Sequence, residues 1–390
     1  MSLRFGIVAG EASGDILGAG LMAGLKARVA CSFEGICGPA MIAQGGLSRY
    51  PMENLAVMGI SEVLGRLPAL VRMRRELIRY FRKTRPDCVI GIDSPDFTLA
   101  LERALKKDGI PVVHYVSPTV WAWRRYRVRT VAHSADLLLA LFPFEPPYYA
   151  GKVNATFVGH PLADMIEPAP DTQSARTELR LETKDLVIAL LPGSRESELK
   201  SHADMFVKTA MRLALRYPRC QFVAPFVNRK TRAIFDQALT DNKAFDLPIT
   251  RLHGHARLAM AASDLVLVAS GTAALEAALI GRPMVVTYRL SPFSYRLMRS
   301  LSRLSYFSLP NHLIGRALVP ELIQRGATAD RLVACAERLI ADPDARKQMV
   351  SAFGQIRETL RQGANGRAAD AVLNLIHAHV EPSAALSCGS

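Results

Sequence analysis

Asp93 closes a short apolar run, Cys88–Ile92, and opens the turn Ser94-Pro95-Asp96-Phe97. A carboxylate at the carboxyl end of a strand, facing a cleft, can act as general base toward a hydroxyl nucleophile. The plainer role, capping the helix expected near Thr98, suits Asp96 better than Asp93. Asp93 is therefore the candidate base. A second group, Gly193, Ser194 and Arg195, follows the apolar run 186–191 and supplies a flexible turn, a hydroxyl and a guanidinium ahead of an expected helix. Ser270, Gly271 and Thr272 repeat that arrangement ahead of the helix expected over 273–279. A helix start presents free N–H groups and partial positive charge, which suits a diphosphate. Glu276, one turn into that helix, is placed to accept hydrogen bonds from ribose hydroxyls. Each loop alone is foremost a helix cap; two of them at matching places in one repeating pattern are more specific.

The first apolar run, Leu3–Ala9, ends in Gly10-Glu11-Ala12-Ser13-Gly14-Asp15, which lacks the GxGxxG spacing of dinucleotide sites. Two readings stay open: a tight strand-to-helix turn with Asp15 near the helix start, or a backbone approach by Gly10, Glu11 and Ser13 to a second substrate. Asp342-Pro343-Asp344 has the DxD spacing of metal-dependent sugar transferases but lies between helical segments, where it reads as a helix-starting turn. No other carboxylate cluster asks for a metal, so none is expected. The nine histidines contain no HxxxH pair, their two HxH pairs (His253/His255 and His377/His379) lie apart from any third candidate ligand in sequence, and His114, His160 and His312 read as local hydrogen-bonding residues. Six cysteines without a CxxC pair read as reduced thiols, with Cys388 exposed in a polar tail.

These residues need elements to hold them. Apolar runs without polar alternation at 3–9, 88–92, 112–116 and 137–141, then at 186–191, 221–224, 265–268 and 284–287, read as strands covered on both faces, hence parallel sheets. Helical patterns lie between most of them, the first over 16–30. The expected fold class is α/β, with two Rossmann-like doubly wound domains facing a cleft. The 390 residues suit two domains. The proline-containing stretch 159–178 reads as linker. The expected division is residues 1–165 for an N-terminal domain, 166–340 for a C-terminal domain, 341–380 for C-terminal helices, and 381–390 for a disordered tail. The C-terminal helices return to the first domain or exchange with a partner.

The composition, 49% hydrophobic and 22% charged, is that of a globular chain. No uncharged apolar stretch is long enough to span a bilayer, and the N-terminus reads as a first strand because the charge of Glu11 interrupts it too early for a signal peptide. Net charge is +14, concentrated in acid-free stretches at 109–135 and 277–320 and in a cluster at 66–85. Such asymmetry points to an anionic partner. Over 63–81 apolar residues recur at roughly helical spacing among arginines, with Pro68 expected to confine a continuous helix to the part after it. That segment is either a helix packed on the core or an interfacial element, with Leu67, Leu70 and Val71 toward lipid and Arg72, Arg74 and Arg75 at headgroups. Segment 288–307 repeats the mix of aromatics and arginines.

Longer blocks carry a resemblance: VAGEASGDILGAGL at 8–21, NLAVMGISEVLGRL at 54–67, GIDSPDF at 91–97, HYVSPTVWAWRRYRV at 114–128, LLPGSRESE at 190–198, ASGTAALE at 269–276, PMVVTYR at 283–289 and SLPN at 308–311. Together they resemble the lipid-A-disaccharide synthase family of inverting, two-domain GT-B glycosyltransferases along nearly the whole chain. The resemblance implies transfer of 2,3-diacylglucosamine from its UDP derivative to 2,3-diacylglucosamine 1-phosphate. The N-terminal domain would take the acceptor and the membrane side, and the C-terminal domain the UDP-sugar. It implies Asp93 as base and Arg195 as stabiliser of the departing diphosphate. Ser194, the Ser270–Thr272 loop, Glu276 and Asn311 would complete the UDP pocket. No cofactor or metal is implied. The enzyme would sit at the cytoplasmic face of a bacterial inner membrane, with no nucleic-acid partner, and a homodimer stays open. The rivals are a UDP-sugar epimerase of the same architecture and a non-catalytic, basic lipid- or nucleic-acid-binding protein.

Overall fold

The computed structural model describes residues 2–55, 60–122, 125–167, 170–182, 184–290 and 306–385, with backbone alone for 60–66 and 380–385. Trp123, Arg124, most of the 288–307 segment and Cys388 lie outside the described residues. The chain forms two compact units: residues up to Asp164 together with those from Thr359 onward, and Met165–Glu358.

In the first unit seven strands, β1 (Leu3–Ala9), β2 (Cys31–Ile36), β3 (Leu47–Ser48), β4 (Cys88–Ile92), β5 (Val112–Tyr115), β6 (Leu137–Ala140) and β7 (Asn154–Phe157), make one sheet in the order 3-2-1-4-5-6-7. All pairs are parallel. The second unit repeats the design with β8 (Val187–Leu191), β9 (Gln221–Phe226), β10 (Ile249–His253), β11 (Leu265–Ala269), β12 (Met284–Tyr288) and β13 (Glu321–Ile323), in the order 10-9-8-11-12-13 and again parallel. Each sheet reverses its strand order once, between β1 and β4 and between β8 and β11. A crevice opens at such a reversal outside the carboxyl ends of the strands.

Every residue of β4, β5, β6, β8 and β11 is buried, which is why these strands read as uninterrupted apolar runs. Five strands escaped the sequence reading: β3, β7, β10 and β13 lie at the sheet edges and are exposed or only partly buried, while β2 lies inside the sheet but carries Ser32 and Glu34, which break its apolar run. β5 stops at Tyr115, one residue short of expectation, because Val116 has φ 84° and leaves the extended region.

Several helices depart from expectation. The first spans Ala12–Lys26 and begins directly after Glu11. The helix Ile60–Thr84 runs through Pro68. A proline removes one backbone hydrogen bond and crowds the preceding turn, but the turns on either side can still form. Met73, Leu77 and Phe81 form its buried stripe, spaced one turn apart. The expected linker contains helices Pro161–Met165 and Thr172–Glu178, the latter capped by Asp171, which accepts from Gln173 N at 2.9 Å. The last helix, Ala364–Ala385, continues into the stretch expected to be disordered, as propagation from a packed, nucleated helix allows. Residues 386–390 lie outside the described residues.

That last helix packs on Ala12–Lys26, where a Cβ on Gly24 would lie 2.5 Å from the Asn365 carbonyl oxygen. On another side of the same helix, a Cβ on Gly18 would lie 2.6 Å from Met41 Sδ and 2.9 Å from Ile92 Cδ1. Small residues thus let one helix fit between the sheet and the chain's final helix, and Arg28 pairs with Asp370 to fix the second contact.

His160 and His202 are buried, one in each unit. His202 lies under the β8 loop, with Nδ1 2.8 Å from Pro192 O, and its Nε2 accepts the Arg289 N–H at 2.9 Å. Only neutral imidazole with the proton on Nδ1 satisfies both bonds. Burial lowers the pKa of His202, and it lowers that of His160 to about 4. In the unfolded chain both take a proton near pH 6.5, about two units or more above the folded value for His160. Their contribution to stability is therefore present above that pH and declines as pH falls toward the folded values, by up to about 1.4 kcal/mol per pH unit for each. The expected outcome is that His202→Gln is destabilised at pH 7.5 and that its gap to wild type, read from urea-denaturation midpoints, shrinks by pH 5. A gap independent of pH would show that His202 is not held neutral.

Candidate active site

In the first unit the β1 and β4 loops meet. A Cβ on Gly10 would fall 2.1 Å from Ser94 Oγ and 2.7 Å from Ser94 Cβ, so no side chain fits at position 10. Asp93 and Ser94 both adopt left-handed backbone, with φ 52° and 45°. Consecutive non-glycine residues there carry strain that the surroundings must hold in place. They do: Asp93 N donates to Tyr115 O at 2.9 Å, and Asp93 O accepts the Thr98 hydroxyl at 2.8 Å. The half-buried Asp93 side chain is thus carried on a backbone clamped from both sides at the carboxyl edge of β4. Asp96 is exposed and pairs with buried Arg127.

Of the first loop, Glu11 precedes the helix Ala12–Lys26 and is half-buried, while Ser13 is exposed at the same edge. Asp15 turns inward, accepting from Ala40 N at 2.8 Å and Met41 N at 2.9 Å, and so caps the helix Pro39–Ala43. It is structural.

The loop after β5 carries a group that sequence reasoning missed. Val116 and Thr119 have φ 84° and 44°. Ser117 Oγ lies 2.9 Å from Tyr149 OH. Buried Glu145 accepts from Leu141 N and Phe142 N, both at 3.0 Å. Burial raises its pKa to about 7 against the pull of those bonds. Trp121 meets Phe144 edge-on at 5.3 Å, and Phe144 stacks on Phe142 at 5.3 Å. Ser117 and Trp121 stand in a block the sequence singled out, but no spacing marked Glu145 or Tyr149.

In the second unit Gly193 has φ 136°, and a Cβ there would lie 2.6 Å from Glu198 Cβ. Glu198 Oε2 accepts the N–H groups of Ser194 and Arg195 at 2.9 and 3.2 Å, capping the helix Glu196–Arg216. The backbone donors expected to face a diphosphate are thus already engaged, whereas the Ser194 and Arg195 side chains are exposed. At the β11 loop Gly271 and Thr272 are exposed at the start of the helix Thr272–Ile280. Ser270 is half-buried, and its hydroxyl donates to Phe307 O at 3.3 Å. Glu276 pairs with Arg257 at 3.1 Å.

Asn311 sits elsewhere in function. It is 1% exposed, its amide donates to Val319 O and Glu321 Oε1, both at 2.8 Å, and its oxygen accepts from Leu318 N and Val319 N. Whatever it contributes to a pocket comes through the loop it holds. Asp342 accepts from Ala345 N at 2.9 Å at a helix start. Among the described residues no three His, Cys, Asp or Glu side chains gather as metal ligands.

On the helix Ile60–Thr84, Leu67, Arg72 and Arg75 are exposed, while Leu70, Val71 and Arg74 are half-buried. A hollow of about 460 Å³ beside them is lined by Tyr50, Asn54, Leu70, Arg72, Met73 and Glu76 among others. Among the described residues no helix is long and apolar enough to cross a membrane.

Residues 5–375 match the family model described as lipid-A-disaccharide synthetase. The lipid-A-disaccharide synthase of Methylobacillus flagellatus is 49% identical over 373 residues, covering 95% of this chain and 99% of that one. That of Chromobacterium violaceum is 49% identical over 380 residues, covering 97% and 98%. Among solved structures, a UDP-GlcNAc 2-epimerase from Neisseria meningitidis bound to UDP-GlcNAc is similar with a TM-score of 0.62 at 14% identity, covering 96% of this chain and 99% of that one. A glycosyltransferase from Rickettsia africae is similar with a TM-score of 0.59 at 11% identity, covering 97% and 98%. The last two share the fold.

The contact of Gly10 with Ser94 yields a direct test. Gly10→Ala is expected to lower turnover by at least about tenfold, because it displaces the loop that carries Asp93. Adding Ser94→Gly, which removes the clashing hydroxymethyl group, should restore most of it. Wild-type turnover in Gly10→Ala alone would show that this close approach does not shape the site.

Proposed function

Because the chain belongs to the lipid-A-disaccharide synthetase family, we propose that it joins 2,3-diacylglucosamine, from UDP-2,3-diacylglucosamine, to 2,3-diacylglucosamine 1-phosphate. The products are UDP and a β-1,6-linked tetraacyl disaccharide 1-phosphate. The observation that carries this reading is the family match over residues 5–375, with relatives of that name about 49% identical along nearly the entire chain. The epimerase likeness is one of fold at 14% identity and gives no reason to prefer that reaction.

The acceptor 6-hydroxyl attacks the donor's anomeric carbon as Asp93 takes its proton. The bond from that carbon to the diphosphate oxygen breaks, and UDP leaves with the electron pair. A single displacement inverts the anomeric centre and needs no covalent nucleophile. Arg195 and Ser194, with the helix start at Gly271–Thr272, supply positive potential and donors for the charge that develops on the leaving diphosphate. With the Ser194 and Arg195 N–H groups engaged by Glu198, the guanidinium carries more of that role. The same charges let the reaction proceed without a metal. Gly10, Glu11 and Ser13 belong to the acceptor side, and Glu276 borders the UDP pocket once Arg257 is accounted for.

We further propose peripheral attachment to the cytoplasmic face of the inner membrane. Both substrates carry acyl chains and phosphate. Exposed Leu67, Arg72 and Arg75 on the helix Ile60–Thr84 offer an apolar contact flanked by cations, each worth about 1 kcal/mol near an anionic surface.

Two outcomes are expected. Asp93→Ala should lower kcat by about 10² to 10⁴ with little change in donor affinity, and Arg195→Ala by about 10² to 10³. Near-wild-type kcat in either variant removes that residue from its role. In co-sedimentation with anionic liposomes, an Arg72/Arg74/Arg75→Glu variant should stay in the supernatant while the wild type pellets; equal pelleting removes the helix from the membrane contact.

A further inference from the structure

The mechanism leaves unused a titratable pair in the core of the first unit. Glu102, on the helix Pro95–Lys107, and His114, on β5, are both 0% exposed, and Glu102 Oε1 lies 2.8 Å from His114 Nδ1. Their other polar atoms, Glu102 Oε2 and His114 Nε2, have no hydrogen-bond partner among the described residues, so the two side chains bond to each other alone. Such a pair is weak evidence for stability, because apolar side chains of similar volume often serve as well or better. Its place in the fold is definite. His114 stands opposite Gly91 in the β4–β5 register, and a Cβ on Gly91 would lie 1.9 Å from Glu102 Oε1. The carboxylate thus fills the space that a side chain at position 91 would take, two residues before Asp93.

Asp93 is clamped from two sides, its N–H by the Tyr115 carbonyl at 2.9 Å and its own carbonyl by the Thr98 hydroxyl at 2.8 Å. The buried pair joins those two sides. His114 precedes Tyr115 on β5, and Glu102 lies one turn beyond Thr98 on the helix. We propose that Glu102 and His114 are positioning residues for Asp93: their hydrogen bond fixes the helix Pro95–Lys107 against β5, so that Thr98 and Tyr115 hold the strained Asp93–Ser94 turn between them. This rests on the reading of Asp93 as the base. Left-handed backbone at two consecutive non-glycine residues persists only where its surroundings over-determine it. A directional bond sets the height of a helix on a sheet more narrowly than apolar contact, which has no direction.

The test uses the full-length protein, with kcat and both KM values taken per folded molecule and the folded fraction read by circular dichroism. Glu102→Gln keeps a bond to His114, and its kcat should stay within about threefold of wild type. Glu102→Met/His114→Leu puts apolar side chains in place of the pair. It should fold, and its kcat should fall by at least about tenfold while both KM values stay within about twofold. Added to Asp93→Ala, the same double substitution should lower kcat by no more than about twofold further, since residues that act through Asp93 then have nothing to position. Wild-type kcat in the apolar double variant, or a loss that adds in full to that of Asp93→Ala, overturns the proposal. A kcat in Glu102→Gln as low as in the apolar double variant overturns it too, because charge rather than the bond would then matter. Should the double variant not fold, Thr98→Val, which removes the hydroxyl at the Asp93 carbonyl, takes its place, with the same expected losses and the same overturning results. Near-wild-type kcat in Asp93→Ala alone would instead discard the Asp93 reading, a result distinct from each of these.

Discussion

The architecture of the candidate site depends on a steric constraint at the reversal of strand order. Where β1 and β4 lie side by side, their loops leave the sheet toward opposite faces, and the backbone of one must pass close to the other. Gly10 and Ser94 pass so close that a single added carbon would fall 2.1 Å from a hydroxyl. That approach fixes where β4 ends, and the left-handed pair Asp93–Ser94 follows from it, pinned by Tyr115 and Thr98. The second unit solves the same problem with Gly193, packed against Glu198. In both units the candidate site residues sit on backbone that has little freedom to move, a requirement for aligning reacting atoms.

Charge has two uses in this molecule. Arg127, Arg176 and Arg357 are buried, and the guanidinium of Arg357 donates to the Ile166 carbonyl at 2.7 Å and to that of Leu279. Arg176 holds Asp264 at 2.7 Å and the Ala262 carbonyl. These arginines serve as internal braces, which suits a planar group with five donors. A net charge of +14 therefore overstates what is presented to an anionic partner. The surface share includes Arg72, Arg75 and Arg79 on one helix, whose other side buries Met73, Leu77 and Phe81. That helix thus has a packed inner stripe and a basic outer face.

How much of this was legible in the sequence depended on locality. Fully buried strands announced themselves, and the motifs at their ends, around Asp93, Gly193–Arg195 and Ser270–Thr272, stand at the two reversals of strand order. Edge strands did not, since polar residues interrupt them. Asn311 resembles a ligand residue in sequence, yet its amide is wholly engaged with Leu318, Val319 and Glu321. Glu276 and Glu198 likewise have partners, Arg257 and two backbone N–H groups, that no spacing could have shown. Tyr149 left no signal at all, because the Ser117 hydroxyl it meets lies more than thirty residues away along the chain. Local chemistry was readable; the hydrogen bonds that decide which local groups are available are tertiary.

The proposed transfer is tested most directly by measuring UDP release from UDP-2,3-diacylglucosamine in detergent micelles containing EDTA, with and without 2,3-diacylglucosamine 1-phosphate. The expected release requires the acceptor, persists in EDTA and is matched by formation of the tetraacyl disaccharide 1-phosphate. Acceptor-independent conversion to a rearranged UDP-sugar, or no release by folded protein, would contradict it.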